Sequence, residues 1–280
     1  MIDLHTHSTA SDGSCSPERL VALAIDARLS ALALTDHDTL AGIDEATREA
    51  RGAGLCIIPG VEIEIASESG ELHLLGLGLY GDRSGLEAAL AAMREQRRGR
   101  NAKMIDKFQR AGIPVTLGEL EHLAGGEIVS RAHFAHLLVK KRIVSSIDAA
   151  FSRFIGKGKE FYEPRNCLGL GEAAALIARA GGVAIIAHPV SLGIRGAALR
   201  QHCSACRDQG VSGIEAWHPN HSLKECMTLA RLARGLGMIV TGGSDFHGDH
   251  MPQRRLGFTS GGRAIPDSLL DSLPLRPPCG

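Results

Sequence analysis

The 280-residue chain is poor in aromatic side chains: seven Phe, two Tyr and one Trp, 4% in all. That scarcity argues against a base-stacking platform for long single strands. Neither sign of charge is in excess, with 31 Lys and Arg against 31 Asp and Glu. The balance excludes a dedicated duplex-DNA binder and a polybasic membrane anchor. No apolar run approaches the roughly 18 residues that a spanning helix needs. The opening Met-Ile-Asp-Leu-His lacks the basic and apolar regions of an export signal, so a cytoplasmic chain is expected. There is no short-period repeat and no low-complexity tract. Seven cysteines form an odd set, expected as reduced thiols in such a chain. Cys203 and Cys206 have Cys-x-x-Cys spacing, but no second pair follows. A structural place in a helix is expected for them, rather than zinc or redox chemistry.

What the chain has is enough apolar residue, 44%, to bury a sizeable core. Short runs rich in Val, Ile and Leu alternate with helical patterns. Strands are expected over Ile2–His7, Ala31–His37, Cys56–Ala66, Leu72–Tyr80, Val183–His188, Gly213–His218 and Met238–Ser244. Helices are expected over Pro17–Arg28, Gly42–Ala53, Gly171–Ala180, Ala197–Gln209 and Leu223–Leu236. The third and fourth strands read as neighbours joined by Ser67–Gly70. This rhythm is that of parallel βα units, an open sheet or a barrel. Residues 84–165 differ, with helical periodicity and no convincing strand. A long helix over Leu86–Ala111, interrupted at Gly99, precedes shorter ones over Leu117–Leu123, Arg131–Lys140 and Ile147–Phe154. Three segments result: barrel residues 1–83, a helical insertion at 84–165 acting as a substrate cap, and barrel residues 166–280.

Histidine is the unusual component, at 13 residues. His5 and His7 end the first strand at i and i+2, on one face. His37 ends the second, Glu62 lies late in the third, and His73 opens the fourth. His188 and His218 end later strands, Asp245 and His247 follow the last, and Asp12 lies just past the first. Parallel βα architectures build active sites at the carboxyl ends of their strands. A lone strand-end histidine is an ordinary polar residue. Convergence from so many strand ends without a metal would incur repulsion and desolvation. A multinuclear metal site is therefore expected. Imidazole and carboxylate donors without thiolate suit Zn, Mn or Fe. The donors outnumber the needs of one ion, so a bridging carboxylate is expected, with Glu62 the natural choice. Paired ions of this kind clamp the attacking and leaving oxygens of a phosphoester displacement.

The segments His5-Thr-His7, Thr-Asp-His37-Asp, Pro-Gly-Val-Glu62, Ala-His188-Pro and Ser-Asp245-Phe-His247 resemble the PHP (polymerase and histidinol phosphatase) family. The likeness covers Met1 to about Tyr80 and about Gly171 to the end. It implies an α/β fold, a distorted (βα)7 barrel of the PHP type, here with an all-helical insertion. It also implies three divalent ions, Mn before Fe or Zn. By the same resemblance, His5, His7, Glu62 and Asp245 hold the first ion. Glu62, His73 and His188 hold the second, and Asp12, His37 and His247 the third. The insertion, with Ser130-Arg-Ala-His133, and the His218-Pro-Asn-His221 segment are similar to a bacterial subgroup. Members of that subgroup remove the 3′-phosphate of nucleoside 3′,5′-bisphosphates, and related members are 5′→3′ exonucleases on short RNA. The histidinol phosphatase branch is the alternative, and fits the insertion less well. A non-catalytic metal-stabilised accessory domain and metal-dependent amide hydrolysis are further readings.

A phosphomonoester needs cationic or N–H partners beyond the metals. Arg97, Arg98, Arg100 and Lys103 cluster around Gly99, beside Asn101. They read either as a solvated helix face or as a phosphate anchor. Arg131 and His133 open a helix whose free N–H groups suit an anion, against a capping Ser130 and an ordinary surface arginine. Arg100, Asn101, Arg131 and His133 are thus the candidate contacts to a second phosphate. His218 is expected either to orient a ligand or to protonate the leaving group. Trp217 is expected in the core, and Lys157 and Lys159 in a mobile linker. The expected partner is a small nucleotide or short RNA, with no duplex DNA, no membrane and no obligate protein partner.

Overall fold

The computed structural model of the chain describes residues 1–65, 72–126, 128–164 and 166–274. Ala66 and the expected Ser67–Gly70 connection lie outside them. The chain divides into two compact units: Met1–Leu90 with Cys167–Gly280, and Ala91–Asn166. No helix among the described residues is long and apolar enough to cross a membrane.

The first unit is built on one seven-stranded sheet in chain order. It opens with β1 (Ile2–Thr6), α1 (Pro17–Asp26), β2 (Ala31–Leu34) and α2 (Ile43–Glu49). Ser16 caps α1 by accepting the Arg19 N–H, and Pro17 occupies the first turn, where no N–H is needed. α2 is shorter than its sequence pattern, and glycines 52 and 54, both with positive φ, follow it in a turn. β3 (Cys56–Ile65) and β4 (Leu72–Leu77) come next. β1, β2 and β3 are parallel. β4 departs from the expected rhythm, since it runs antiparallel to both its neighbours. Its first residues therefore lie where the other strands end.

The chain then leaves the sheet through α3 (Ser84–Arg110), whose length includes the boundary between the units. α3 passes Gly99 without a break, contrary to expectation. A Cβ there would meet nothing within 4 Å, so this glycine marks no close approach. The second unit continues with α4 (Leu117–Ala124), α5 (Arg131–Lys140) and α6 (Ile147–Ala150), which passes into a π-helical turn, Phe151–Ile155. Its own core includes Met104, Phe108, Leu120, Phe134, Leu138 and Phe161, with Phe108 stacked on Phe161 at 4.2 Å. The return segment is anchored rather than a free linker. The Lys107 Nζ donates to the carbonyls of Glu160 and Tyr162 and pairs with Glu163 at 2.7 Å.

The sheet resumes with α7 (Leu170–Arg179), β5 (Val183–Ile186), α8 (Gly196–Asp208), β6 (Gly213–Trp217), α9 (Leu223–Gly235) and β7 (Ile239–Gly242). β5, β6 and β7 are parallel. The segment after β7 pairs with β1: His7 N donates to Phe246 O at 2.9 Å, and Asp245 N to His5 O at 2.8 Å. That pairing closes the sheet into a distorted barrel. β1 and β2 are buried along their whole length, so they read as apolar runs rather than alternating patterns. Cys203 and Cys206 are buried in α8 as free thiols, and burial pushes them up to about 12 and about 11. Thiols so placed are inert. Cys15 and Cys226 are also free. Cys56 departs from the expected reduced state, being disulfide-bonded.

Candidate metal centre

At the barrel end where β1, β2 and β3 finish, Glu62 stands inside a ring of imidazoles. Its Oε1 lies 2.8 Å from His73 Nδ1 and 2.9 Å from His188 Nε2. Its Oε2 lies 3.2 Å from His5 Nε2, 3.3 Å from His7 Nε2 and 3.3 Å from His37 Nδ1. The two oxygens of one carboxylate thus face different sets of rings, the geometry of a bridging ligand. His73 reaches the cluster because β4 is reversed: its carbonyl accepts from Ala187 N, just before His188.

The other carboxylates divide their oxygens too. Asp245 Oδ1 lies 3.3 Å from His7 Nε2, 3.4 Å from His247 Nδ1 and 3.5 Å from His5 Nε2. Its Oδ2 lies 3.3 Å from His218 Nε2 and 3.1 Å from Arg254 Nη1. Asp12 Oδ1 lies 3.4 Å from His247 Nε2, and its Oδ2 3.8 Å from His37 Nε2. The His247 Nδ1–H donates to the Asp245 carbonyl at 2.9 Å, which leaves Nε2 as the free lone pair facing Asp12. All nine residues that the sequence singles out as ligands are therefore gathered here.

Their donor atoms form overlapping groups: His5, His7, Glu62 and Asp245; His7, Asp12, His37 and His247; and His37, Glu62 and His73. Within each group the atoms lie within 4.8 Å of one another. The His7 and His247 rings stack at 4.2 Å. His5 Nε2 and both nitrogens of His7 are buried without a hydrogen bond. Buried lone pairs of this kind need a partner, and a divalent cation supplies one. The donors are nitrogen and oxygen, which fits Zn, Mn or Fe. A further group, His5, Glu215 and His218, lies beside these.

The backbone holds two of these residues in uncommon conformations. His188 has φ 26° and Asp245 φ 51°. Positive φ at non-glycine residues is retained where surroundings over-determine it, often at functional sites. Electrostatics follows the crowding. Burial opposes the ionised form of Glu62, yet His37, His5 and His73 outweigh it and hold its carboxyl well below the usual range. Asp12 and Asp245 are likewise held down against burial by surrounding histidines. Burial also opposes charge on His7, but Asp245 and Glu62 raise it to about 10. For His37 burial prevails and lowers it to about 4.

Several supporting residues escaped the sequence reading. Glu215 is fully buried and binds His5 Nδ1 at 2.9 Å and the His188 N–H at 2.7 Å. Its signal was available: a glutamate inside an apolar strand requires a buried partner. Buried Asp36 accepts from Ser8 N, Ser8 Oγ and Ser11 Oγ and so fixes the turn that carries Asp12. Asp3 accepts from Ser244 N, Gly257 N and His5 N, joining β1 to the segment that follows β7. Burial raises it to about 6 despite those donors. Arg254 comes from a loop and has no motif around it. Trp217 is half-buried rather than in the core.

Arg100, Asn101, Arg131 and His133 belong to the helical unit and not to this donor set. Arg97, Arg100 and Asn101 are buried, against the reading of a solvated helix face. Asn101 Nδ2 donates to Val129 O at 3.0 Å. The Arg131 guanidinium lies over the Phe151 and Tyr162 rings, at 5.9 and 5.7 Å. His133 closes a capping box, its Nδ1 accepting the Ser130 N–H at 3.0 Å. A neutral His133 then carries its proton on Nε2.

Comparison with known proteins agrees with this geometry. The PHP domain family matches residues 3–153. A 5′-3′ exoribonuclease of Haemophilus influenzae is 38% identical over 88% of this chain and 89% of its own. A 3′,5′-nucleoside bisphosphate phosphatase of Chromobacterium violaceum is 32% identical over 92% of this chain and 91% of its own. A solved structure from the same organism, described as an amidohydrolase with bound sulfate, superposes with a TM-score of 0.82 at 30% identity, over 97% of this chain and 96% of that one. The chain belongs to the PHP domain family and is a metal-dependent phosphoesterase.

Proposed function

We propose that the chain removes the 3′-phosphate of nucleoside 3′,5′-bisphosphates to leave nucleoside 5′-monophosphates, and also trims short 5′-phosphorylated RNA. The observation that carries the proposal is the division of Glu62 between two sets of imidazoles, which suits adjacent ions. Three divalent ions, Mn before Fe or Zn, are held by His5, His7, Asp12, His37, Glu62, His73, His188, Asp245 and His247. When bound, they supply Lewis-acid charge to phosphoryl oxygens and ready a water for in-line attack. The names of the two relatives support both the bisphosphate and the RNA reading.

The chain's own residues do the rest. His218 positions Asp245: the Asn220 N–H donates to its Nδ1 at 3.1 Å, and its Nε2 lies 3.3 Å from Asp245 Oδ2 and 3.0 Å from Arg254 Nη1. Arg254 binds the same oxygen and turns Oδ1 toward the histidines. Burial lowers His218 to about 4, so it is a poor acid for the leaving group at neutral pH. In the helical unit, Arg131 and the Nε2–H of His133 select the second phosphate together with Arg100 and Asn101, whose Nδ2 bonds Val129 O just ahead of Ser130. The protein works in the cytoplasm on nucleotides or short RNA, without duplex DNA, membrane or an obligate partner.

The test is phosphate release by Mn-loaded protein from adenosine 3′,5′-bisphosphate, adenosine 5′-monophosphate, histidinol phosphate and a short 5′-phosphorylated RNA. Strong preference for the bisphosphate is expected, with nucleotide release from the RNA. Preference for histidinol phosphate overturns the substrate assignment. No release from any, with metal bound, returns the site to amide hydrolysis or a non-catalytic role. Arg131→Ala should raise KM for the bisphosphate far more than for a small aryl phosphate; equal effects count against the anchor.

A further inference from the structure

Glu215 is a buried carboxylate beside the site whose two oxygens are both engaged outside the centre of the cluster. It is fully buried in the middle of β6. Its Oε1 lies 2.9 Å from His5 Nδ1, and its Oε2 accepts the His188 backbone N–H at 2.7 Å. His5 and His188 are assigned to different ions. We propose that Glu215 is a positioning residue that fixes the tautomer of His5 and ties that ring to the backbone of His188. The inference rests on the metal assignment above, though not on the substrate.

The argument follows from donors and acceptors. A carboxylate offers only acceptors, so His5 must present N–H at Nδ1. The lone pair of a neutral His5 then sits on Nε2, the nitrogen that faces Glu62 Oε2 at 3.2 Å and Asp245 Oδ1 at 3.5 Å. Nε2 is buried and makes no hydrogen bond. A carboxylate behind the far nitrogen of a ligating imidazole is the arrangement that sets ring orientation and basicity in metal sites. The second oxygen holds a different element. His188 has φ 26°, and the Glu215 oxygen satisfies the N–H of this uncommon turn. Glu215 therefore spans the ends of β1 and β5.

His5, Glu215 and His218 also have the composition of a cation site. A cation there would need the His5 Nδ1 lone pair while Nε2 faces Glu62, and a neutral imidazole has only one lone pair to give. The positioning role needs no such double use.

Glu215→Gln separates the two contacts. The His188 N–H cannot change, so the amide turns its oxygen to it. The amide NH2 then faces His5 Nδ1 and drives the ring into the other tautomer, with N–H at Nε2. The experiment is metal content and affinity, by mass spectrometry and chelator competition with Zn, for wild type, Glu215→Gln, His5→Ala and the double variant. Glu215→Gln is expected to lose one ion per chain, or to bind it ten- to hundred-fold more weakly, with a cooperative melt retained. The double variant should lose no more than His5→Ala alone, since both changes act through one ligand. Additive losses overturn the proposal, as does wild-type affinity in Glu215→Gln. Four ions per wild-type chain, the fourth lost with Glu215, would also overturn it in favour of a cation site.

Where Glu215→Gln does not fold, the wild type still decides. Nitrogen-15 shifts of Zn-loaded protein should show His5 protonated at Nδ1 and ligating through Nε2, and the reverse sinks the idea. Wild type that binds no divalent ion would instead sink the metal assignment itself, a result distinguishable from the others.

Discussion

Replacing Gly243 by Ala tests how closely the barrel must close to hold His5. A Cβ at Gly243 would collide with His5 Cβ and stand 2.7 Å from His5 N and 2.9 Å from His5 Cα. Ordinary contacts between carbons are about 3.5–4.0 Å, so the shortfall is roughly 1 Å. The neighbours are backbone or adjoin it, so no rotamer change relieves the clash. Gly243 is not among the glycines with positive φ, which makes the effect steric rather than conformational. Its N–H donates to Trp217 O, which holds this segment against β6, so the new methyl pushes β1. His5 Nε2 must then leave its place 3.2 Å from Glu62. Overpacking of this kind costs about 1–3 kcal/mol. At roughly 2–4 °C per kcal/mol for a chain of this size, calorimetry should show melting several degrees lower. A displacement near 1 Å at a reacting centre costs about a hundredfold in rate. The assay is metal content after dialysis, a melting scan and phosphate release on the same preparation. Wild-type metal content and rate in Gly243→Ala would refute the claim that this approach positions His5.

Other expectations are as direct. Gly99→Ala should stabilise the chain by about 0.5–1 kcal/mol, because helix α3 is continuous there and open space surrounds the position. A fall in activity without that gain would mean the glycine is needed as a break. Glu225 completes the capping box of α9, accepting the Ser222 N–H at 2.9 Å, and its backbone and side-chain bonds to Ser222 lower its carboxyl to about 2. A lowered carboxyl stabilises the fold above its unfolded value of 4.5 and loses that contribution as pH falls toward about 2. Glu225→Ala should therefore cost about 1 kcal/mol at pH 7, with a smaller difference at pH 3 in urea melts; a constant difference would refute the cap. Chelation should lower the melting temperature, since ion at 1,000 times its dissociation constant contributes roughly 4 kcal/mol. A melt unchanged by chelator and by added Mn would contradict a resident metal.

Much of the barrel was legible because its physics is local. Strand-end residues at i and i+2 share a face whatever lies beyond them, so His5 and His7 could be placed together from spacing alone. Helix ends were readable where caps are chemical, as at Ser16 and Pro17. The reversal of β4 is not in the composition of Leu72–Leu77 but in the shortness of the Ser67–Gly70 connection, because neighbouring strands joined by so few residues can only run antiparallel. His73 could be named, but its position at the opening of a strand is explained only by that reversal. Gly99 misled because a glycine in a helical pattern is a weak breaker, costing about 1 kcal/mol, and the buried face of a 27-residue helix easily carries it. In the helical unit, Ser130-Arg-Ala-His133 carried two readings, and the capping box is visible in the structure.

The limit of the sequence is clearest in the carboxylates. Glu62, Asp245 and Glu215 are all buried acids on or just beyond strands, and composition makes them equivalent. Their neighbours do not. Both Glu62 oxygens face imidazoles of the cluster, so it can join two sets of donors. Arg254 and His218 occupy one oxygen of Asp245 and leave the other for His5, His7 and His247. Both Glu215 oxygens are taken by N–H groups, one of a ring and one of the backbone, so it supports ligands without facing the centre. Which oxygen meets a donor and which a lone pair depends on residues far away in the chain, such as Arg254 against Asp245. Strand position therefore predicts that an acid reaches this end of the barrel, while the partner of each oxygen decides whether it bridges, ligates or positions.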